Sequence, residues 1–244
     1  MYRTRKRFFL VTFADFASSR FNPNRSRLFL LGVACVLSGC AATRPAPAAR
    51  DVARVRADVA ALCDPAMEGR GVTTEGIDRA RDYLAQRFEA IGLARAAVGE
   101  AGEPSYLQPV PLYLDEGQII RHNVVGTRPG RGKLADEWIV IAAHYDHLGF
   151  GSGNSRAPDA IGRLHPGADD NASGVAALLW IAEQMHTRWH TDDKPRRSVV
   201  FVALTAEEIG QLGAHLFVIQ RRRLGPEARV VAMLNLDMVG NLTD

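Results

Sequence analysis

Three apolar runs in the second half of the chain limit its fold more than any other feature of the sequence. They occupy residues 137–143, 198–204 and 228–236 and are nearly free of polar side chains. Such runs are typical of strands that are buried on both faces of a sheet. Helical patterns lie between them, over about 171–189 and 207–222. This alternation predicts an α/β fold with a central, mostly parallel mixed sheet and helices on both faces.

The preceding part of the chain adds helices and further strands. Apolar residues at helical spacing predict amphipathic helices near 52–62 and 77–91, the second of which ends at Gly92. Extended segments are predicted at about 105–113 and 118–126. Two helices therefore open the folded domain, before the first strands.

The first 40 residues have the pattern of an export signal. Residues 1–27 hold seven Lys or Arg against one Asp, and residues 28–37 form an apolar stretch. That stretch is too short for the roughly 20 residues of a membrane span and suits a signal peptide. Leu37-Ser38-Gly39-Cys40 resembles the bacterial lipobox, which predicts a signal peptide over 1–39 and acylation of Cys40. A plain signal peptide and a buried apolar segment with an incidental cysteine are the alternatives.

Charge and composition then divide the rest of the chain. Residues 40–50 are rich in Pro and Ala and predict a flexible tether that leads to a domain over 51–244. The formal charge of +3 comes from residues 1–27, since residues 28–244 hold 23 basic and 26 acidic groups. Because the rest of the chain is slightly acidic, the sequence disfavours a nucleic-acid partner. The expected location is the bacterial cell envelope, facing the periplasm or the cell surface, with membrane contact through the lipid anchor only.

Side chains that bind metal ions lie at the predicted carboxyl ends of the buried strands and in a loop before a helix. Taken singly they have ordinary explanations, because acidic pairs often begin helices and single histidines are often structural. Carboxyl ends of parallel strands, however, meet at one edge of a sheet, where ligands bind. The residues are His144, Asp146, His147, Asp169, Asp170, Glu207, Glu208 and Asp237.

Imidazole and carboxylate are zinc ligands, and one carboxylate can bridge the two ions of a two-metal hydrolytic site. A further carboxylate is needed to take a proton from water, and either Glu207 or Glu208 can do this while the other binds metal. A cysteine-rich structural zinc site is excluded here, because Cys63 lies in the first predicted helix.

Four ordered motifs contain these residues. They are His144-Tyr145-Asp146-His147-Leu148-Gly149, Gly167-Ala168-Asp169-Asp170-Asn171-Ala172-Ser173-Gly174, Ala206-Glu207-Glu208-Ile209-Gly210 and Asn235-Leu236-Asp237-Met238-Val239-Gly240. Together they resemble the M28 family of zinc metallopeptidases. The resemblance covers about 52–244 and includes Met67-Glu68-Gly69-Arg70 and Asn123-Val124-Val125-Gly126.

The resemblance implies two zinc ions. His144, Asp170 and Asp237 would hold one ion, and Asp170 and Glu208 would hold the second. The family takes the last ligand of the second ion from a histidine downstream of the Asp237 position, and no histidine follows Asp237 in this sequence. We therefore expect the sequence to be a fragment that lacks the final strands of the sheet, with one complete zinc site. His147 is expected beside the ligands rather than among them.

The resemblance also implies the chemistry. Glu207 would act as the general base and then as the general acid, and Asp146 would hydrogen-bond His144 and fix its orientation. The expected activity is that of a zinc exopeptidase, in particular an aminopeptidase, acting on peptides. A glutaminyl-cyclase-like enzyme, an M20-like zinc enzyme and a non-catalytic peptidase-like binding module are the alternatives.

Overall fold

The computed structural model describes residues 48–99, 102–151, 160–189, 194–225 and 227–240. The predicted signal peptide and Cys40 lie outside these residues. Within the described part of the chain, no helix has both the length and the apolar character needed to cross a membrane.

Helices and strands follow one another in the order that the sequence predicts. The described helices are α1 (Ala49–Leu62), α2 (Gly76–Ile91), α3 (Gly174–Trp189) and α4 (Leu212–Gln220). The described strands are β1 (Ala94–Arg95), β2 (Ala97–Val98), β3 (Pro104–Ser105), β4 (Leu107–Leu114), β5 (Gly117–Arg128), β6 (Glu137–His144), β7 (Ser198–Leu204) and β8 (Arg229–Asn235). Helix α1 begins within the last residues of the predicted tether, and β4 to β8 match the five predicted strands.

The central sheet is mixed, as predicted. Its strand order is β1-β5-β7-β6-β8, and β4 pairs with β5 outside this path. Strand β6 is parallel to both β7 and β8, whereas the pairings of β5 with β1, β4 and β7 are antiparallel. The parallel part of the described sheet thus consists of the three apolar runs. Because His144 pairs with Leu204 and Ala142 with Asn235, the carboxyl ends of these runs lie at one edge.

Both faces of β6 and β7 are covered by helices. The prediction of a third buried strand is wrong for the described residues: β8 pairs with β6 alone, and its residues are all exposed or half-buried. Ile141 and Phe201 pack into the larger core cluster with residues of α1, α2 and α3. Val140 and Val202 point to the opposite face and pack with Phe217 of α4. Since alternate residues of these strands enter two different cores, both must be apolar, which explains the uninterrupted runs.

One predicted helix begins later than expected. The pattern over 207–222 predicts a helix from Glu207, but α4 begins at Leu212. The backbone takes positive φ at Ala206 and Gln211, and the N–H groups of Glu207 and Glu208 donate to the Asp146 carboxylate. The two glutamates therefore lie in a turn after β7 instead of in the first turn of a helix.

Candidate metal centre

Two groups of metal-ligating side chains lie at the carboxyl edge of β6, β7 and β8. His144, Asp170 and Asp237 form one group, and His147, Asp170 and Glu208 form the other. Within each group one donor atom from each side chain lies within 4.8 Å of the others. Asp170 is common to both, so its two carboxylate oxygens could serve two neighbouring ions.

The first group has the spacing of a zinc site. His144 Nε2 lies 3.2 Å from Asp170 Oδ1 and 3.6 Å from Asp237 Oδ1. A tetrahedral zinc ion with ligand bonds of about 2.0–2.1 Å separates its ligand atoms by about 3.3–3.4 Å. One neutral imidazole and two carboxylates are also a donor set that zinc accepts. The three residues implied by the family resemblance therefore fit a zinc ion.

The electrostatics of His144 support the same conclusion. Burial by itself would lower the pKa of this imidazole, but the surrounding carboxylates of Asp146, Asp170 and Asp237 raise it to about 12. Negative charge is thus clustered around this imidazole. A divalent cation bound by the same carboxylates would balance this negative charge.

The second group contains a residue that sequence reasoning placed beside the ligands. His147 Nδ1 lies 2.7 Å from Glu208 Oε1, and the His147 side chain is 11% exposed. Its position three residues after the end of β6 gave only a weak signal. Contact with Glu208, 61 residues away, comes from the pairing of β6 with β7.

Asp146 has a wider role than predicted. The His144 Nδ1 atom lies 3.2 Å from the backbone carbonyl oxygen of Asp146 and 3.8 Å from its carboxylate. The fully buried carboxylate instead accepts the backbone N–H groups of Glu207 and Glu208, at 3.1 and 3.2 Å. The backbone of Asp146 thus contacts the imidazole, while its side chain positions the turn with the two glutamates.

Glu207 lies beside both ligand groups without belonging to either. Its carboxyl is partly buried, and this burial raises its pKa. The positive charge of His144 opposes the rise, while the Asp146, Glu208 and Asp237 carboxylates add to it. A carboxylate that binds a proton more readily than usual, next to metal ligands, has the properties of a general base.

Asn171 fixes the relative positions of two predicted ligands, a role that the sequence did not reveal. This buried side chain donates to the Leu236 carbonyl oxygen at 2.9 Å and accepts the Met238 N–H at 3.2 Å, so it holds both sides of Asp237. Its own neighbour is Asp170, and the peptide bond between them is cis. A β-carbon at Gly174 would lie 2.4 Å from the Leu236 oxygen, so only glycine permits this approach.

Asp169, the other acid of this motif, does not belong to either ligand group. Its carboxylate accepts the Ser173 hydroxyl at 3.2 Å and the Gly240 N–H at 2.9 Å. It therefore stabilises the turn before α3.

All the predicted residues of this centre that the structure describes are brought together. They are His144, Asp146, Asp170, Glu207, Glu208 and Asp237. Their assigned roles stay predictions.

The fold and these ligand groups define an α/β protein with two candidate metal sites at the carboxyl edge of its parallel strands. The chain belongs to peptidase family M28, whose sequence profile matches residues 123–244, half of the chain. This confirms the family that the four motifs indicated.

Two curated relatives are similar in sequence. A probable zinc metalloprotease of Pyricularia oryzae is 33% identical over 172 residues, which cover 70% of this chain and 31% of the relative. Leucine aminopeptidase 1 of Arthroderma otae is 30% identical over 147 residues, 60% of this chain and 36% of the relative. The matches thus span about a third of the length of these relatives.

Two solved structures share the fold. A Zn-dependent exopeptidase from Parabacteroides distasonis aligns with a TM-score of 0.58 at 22% identity and covers 79% of this chain and 61% of its own. A glutaminyl cyclase from Bacteroides thetaiotaomicron aligns with a TM-score of 0.57 at 21% identity over 78% and 61% of the two chains. The near-equal scores show that this fold serves more than one reaction.

Proposed function

We propose that this protein is a two-zinc aminopeptidase that hydrolyses the first peptide bond of its substrates. The observation that carries the proposal is the sharing of Asp170 between two ligand groups, with Glu207 outside both. One carboxylate common to two groups is the arrangement that a two-metal hydrolytic site needs. The family match and the two relatives, named a zinc metalloprotease and a leucine aminopeptidase, support the same function.

The ligand groups support an assignment of the residues that would hold the ions. His144, Asp170 and Asp237 would hold one, and Asp170 and Glu208 would contribute to the other. Bound zinc lowers the pKa of a water molecule and stabilises negative charge on a peptide carbonyl oxygen. Because Glu207 belongs to neither ligand group, its carboxylate would be available to accept a proton from the attacking water and to donate it to the leaving amine.

Metal removal tests this proposal. We expect dialysis of the protein against a chelator to lower the hydrolysis of leucyl-p-nitroanilide by more than about 100-fold, since the metal contributes several kcal/mol to the stabilisation of the transition state. Zinc should restore the rate. Hydrolysis that persists unchanged in protein shown to be free of metal would contradict the proposal.

A second pair of substrates separates an aminopeptidase from the alternatives. N-acetyl-leucyl-p-nitroanilide differs only in its blocked amine, and an aminopeptidase should leave it intact. A peptide with an N-terminal glutamine would release ammonia and form a pyroglutamyl product if the protein were a glutaminyl cyclase. Zinc binding without turnover of any of these compounds would favour a non-catalytic binding module.

We further propose that the protein is exported and anchored to the cell envelope through Cys40. The support is the cationic flank, the apolar stretch and the residues Leu37-Ser38-Gly39-Cys40 in the sequence. In bacteria that express the chain, Cys40→Ser should abolish labelling by radioactive palmitate and move the protein from the membrane to the soluble fraction. Cys35→Ser is the matched control, because Cys35 lies in the predicted signal peptide. Equal labelling of both variants would rule out Cys40 as the anchor.

A further inference from the structure

Helix α1 starts at the end of the domain that is opposite the metal centre. The carbonyl oxygen of Leu62, the last residue of α1, accepts a hydrogen bond from the Arg70 side chain, which also binds the Gly167 oxygen near Asp170. Helix α1 therefore ends beside the metal centre. Its first residue, Ala49, lies 13 residues earlier in the chain. At 1.5 Å per residue, Ala49 is about 20 Å away along the helix axis.

Helix α3 runs in the opposite direction and ends at the same far side. It begins at Gly174, beside the metal centre, and ends at Trp189. Arg54 of α1 contacts Glu183 of α3 at 2.8 Å, so the first half of α1 lies against the second half of α3. The Trp189 Nε1 atom donates to the carbonyl oxygen of Pro129, in the loop between β5 and β6. The start of α1 thus lies at the amino end of the parallel strands.

This amino end, which we call the basic end, has an excess of positive charge. It is formed by the described residues of the segments 128–137, 188–197 and 227–229, which lead into β6, β7 and β8. In the sequence these segments hold eight Lys or Arg and five Asp or Glu, a net charge of +3. Its exposed basic side chains include Arg131, Lys133, Arg188, Lys194, Arg197 and Arg229. The opposite end holds the clustered carboxylates of the metal centre.

Backbone and side-chain contacts join the basic end into one surface. The Arg131 N–H donates to the Arg196 carbonyl oxygen at 2.9 Å, and the Arg196 N–H donates back to the Arg131 oxygen at 2.9 Å. The Arg196 guanidinium lies 5.5 Å from the ring centre of Trp189. Glu137, the first residue of β6, binds Arg197 at 2.7 Å just before β7 begins. The loops before β6 and β7 and the end of α3 therefore present their charges together.

We propose that the basic end contacts the anionic headgroups of the membrane to which Cys40 is anchored, so that the metal centre opens away from the bilayer. This inference rests on the proposed anchoring, since it assigns the orientation of the anchored domain. Eight residues, 41–48, separate Cys40 from the start of α1. Even a fully extended chain of that length spans no more than about 30 Å. The tether therefore keeps the start of α1, and the basic end beside it, near the headgroups.

Charge decides which side of a tethered domain meets the bilayer. Each basic group near an anionic surface favours contact by about fivefold, so a net charge of +3 gives the basic end a preference of about 100-fold. The same surface repels the carboxylates at the other end of the domain. Peptides in solution therefore reach the metal centre without passing between the domain and the membrane.

Quenching of a dye by labelled lipids measures this orientation. The lipidated full chain carries Cys63→Ser and one new cysteine for the dye, either Thr187→Cys near the end of α3 or Ile161→Cys in the loop whose His165 ring meets His147. Both positions are exposed and uncharged. The vesicles consist of phosphatidylglycerol, with a nitroxide on a fraction of the headgroups. We expect the dye at position 187 to be quenched at least about fivefold more strongly than the dye at position 161.

Charge reversal tests whether the basic end causes this orientation. Lys133→Glu combined with Lys194→Glu changes its net charge from +3 to −1, so the difference between the two dye positions should disappear. Arg56→Glu combined with Arg163→Glu is the matched control and should keep the difference, because it reverses two exposed charges outside the basic end. Vesicles of phosphatidylcholine, or salt at about 0.5 M, should also abolish the difference, since the attraction is electrostatic.

The outcomes separate the orientation from the anchor. Equal quenching at positions 187 and 161 in protein that floats with the vesicles would overturn the orientation while the anchor stands. Stronger quenching at position 161, or a difference that survives the Lys133→Glu and Lys194→Glu changes, would do the same. A chain that carries no acyl group and does not float with the vesicles would refute the anchor and this inference with it. The proposed peptidase activity is tested independently, by metal removal.

Discussion

Replacing Glu207 by glutamine is expected to lower kcat for leucyl-p-nitroanilide by about 10²- to 10⁴-fold, the usual contribution of a general base. Glutamine has the same shape but cannot accept the proton of water at neutral pH. Because Glu207 is outside both ligand groups, the variant should bind as much zinc as the unsubstituted protein. Steady-state kinetics together with zinc analysis of the same preparation measures both quantities.

Two other glutamates provide controls for this prediction. Glu208→Gln removes a member of the second ligand group, so it should lose zinc as well as activity. Glu75→Gln changes a side chain that is 87% exposed and lies outside the centre, and it should leave kinetics and zinc content unchanged. Near-normal turnover by Glu207→Gln would exclude Glu207 as the base, and loss of zinc in that variant would assign it to the ligands instead.

Replacing Arg70 by methionine is expected to destabilise the protein by about 3–5 kcal/mol, the cost of breaking a buried charged network. Arg70 is fully buried and donates to four carbonyl oxygens, at distances of 2.5–2.8 Å. These oxygens belong to three separate segments of the chain. The acceptors are Leu62, Tyr145, Pro166 and Gly167. Methionine fills similar space but leaves all four acceptors buried without this donor.

Arg70 also connects stability with metal binding. It holds the residue after His144 and the turn that leads to Asp170, so its loss should weaken zinc affinity by about 10- to 100-fold, as changes in outer partners do. Urea unfolding with and without zinc measures both effects. Arg229→Met is the control, because Arg229 is 68% exposed and its ion pair with Glu137 should contribute less than about 1 kcal/mol. Equal unfolding midpoints for the two variants would contradict the prediction.

The fold could be predicted from the strongest pattern in the sequence, the three apolar runs. Strands β6 and β7 are largely buried, and the sequence shows this directly as runs without polar alternation. The run in β8 predicted the strand but not its burial, since all seven residues of β8 are exposed or half-buried. The ligands at the ends of these strands were predictable for the same reason, since strand order and direction bring them to one edge. The start of α4 was not predictable, because the turn before it is held by Asp146 in the loop after β6 and by Asn123 on β5.

Asn123 illustrates such contacts. This fully buried side chain on β5 accepts the Thr205 N–H at 3.0 Å and donates to the Gly213 carbonyl oxygen at 2.9 Å. It therefore fixes both ends of the turn that carries Glu207 and Glu208. Its partners are 82 and 90 residues away, so no local pattern could have identified them.

The sequence by itself determined the class of fold, the family and the residue types of the metal centre, because burial and strand direction are recorded in local patterns. Only the tertiary structure decided how those residues are paired. It directed the Asp146 carboxylate to the backbone of Glu207 and Glu208 and brought His147 to Glu208. It also brought Asn171 into hydrogen bonds with the residues before and after Asp237. The physical reason is that hydrogen bonds and ligand groups require positions accurate to a few tenths of an ångström. Such accuracy arises from the register of β6 against β7 and from packing between segments far apart in the chain.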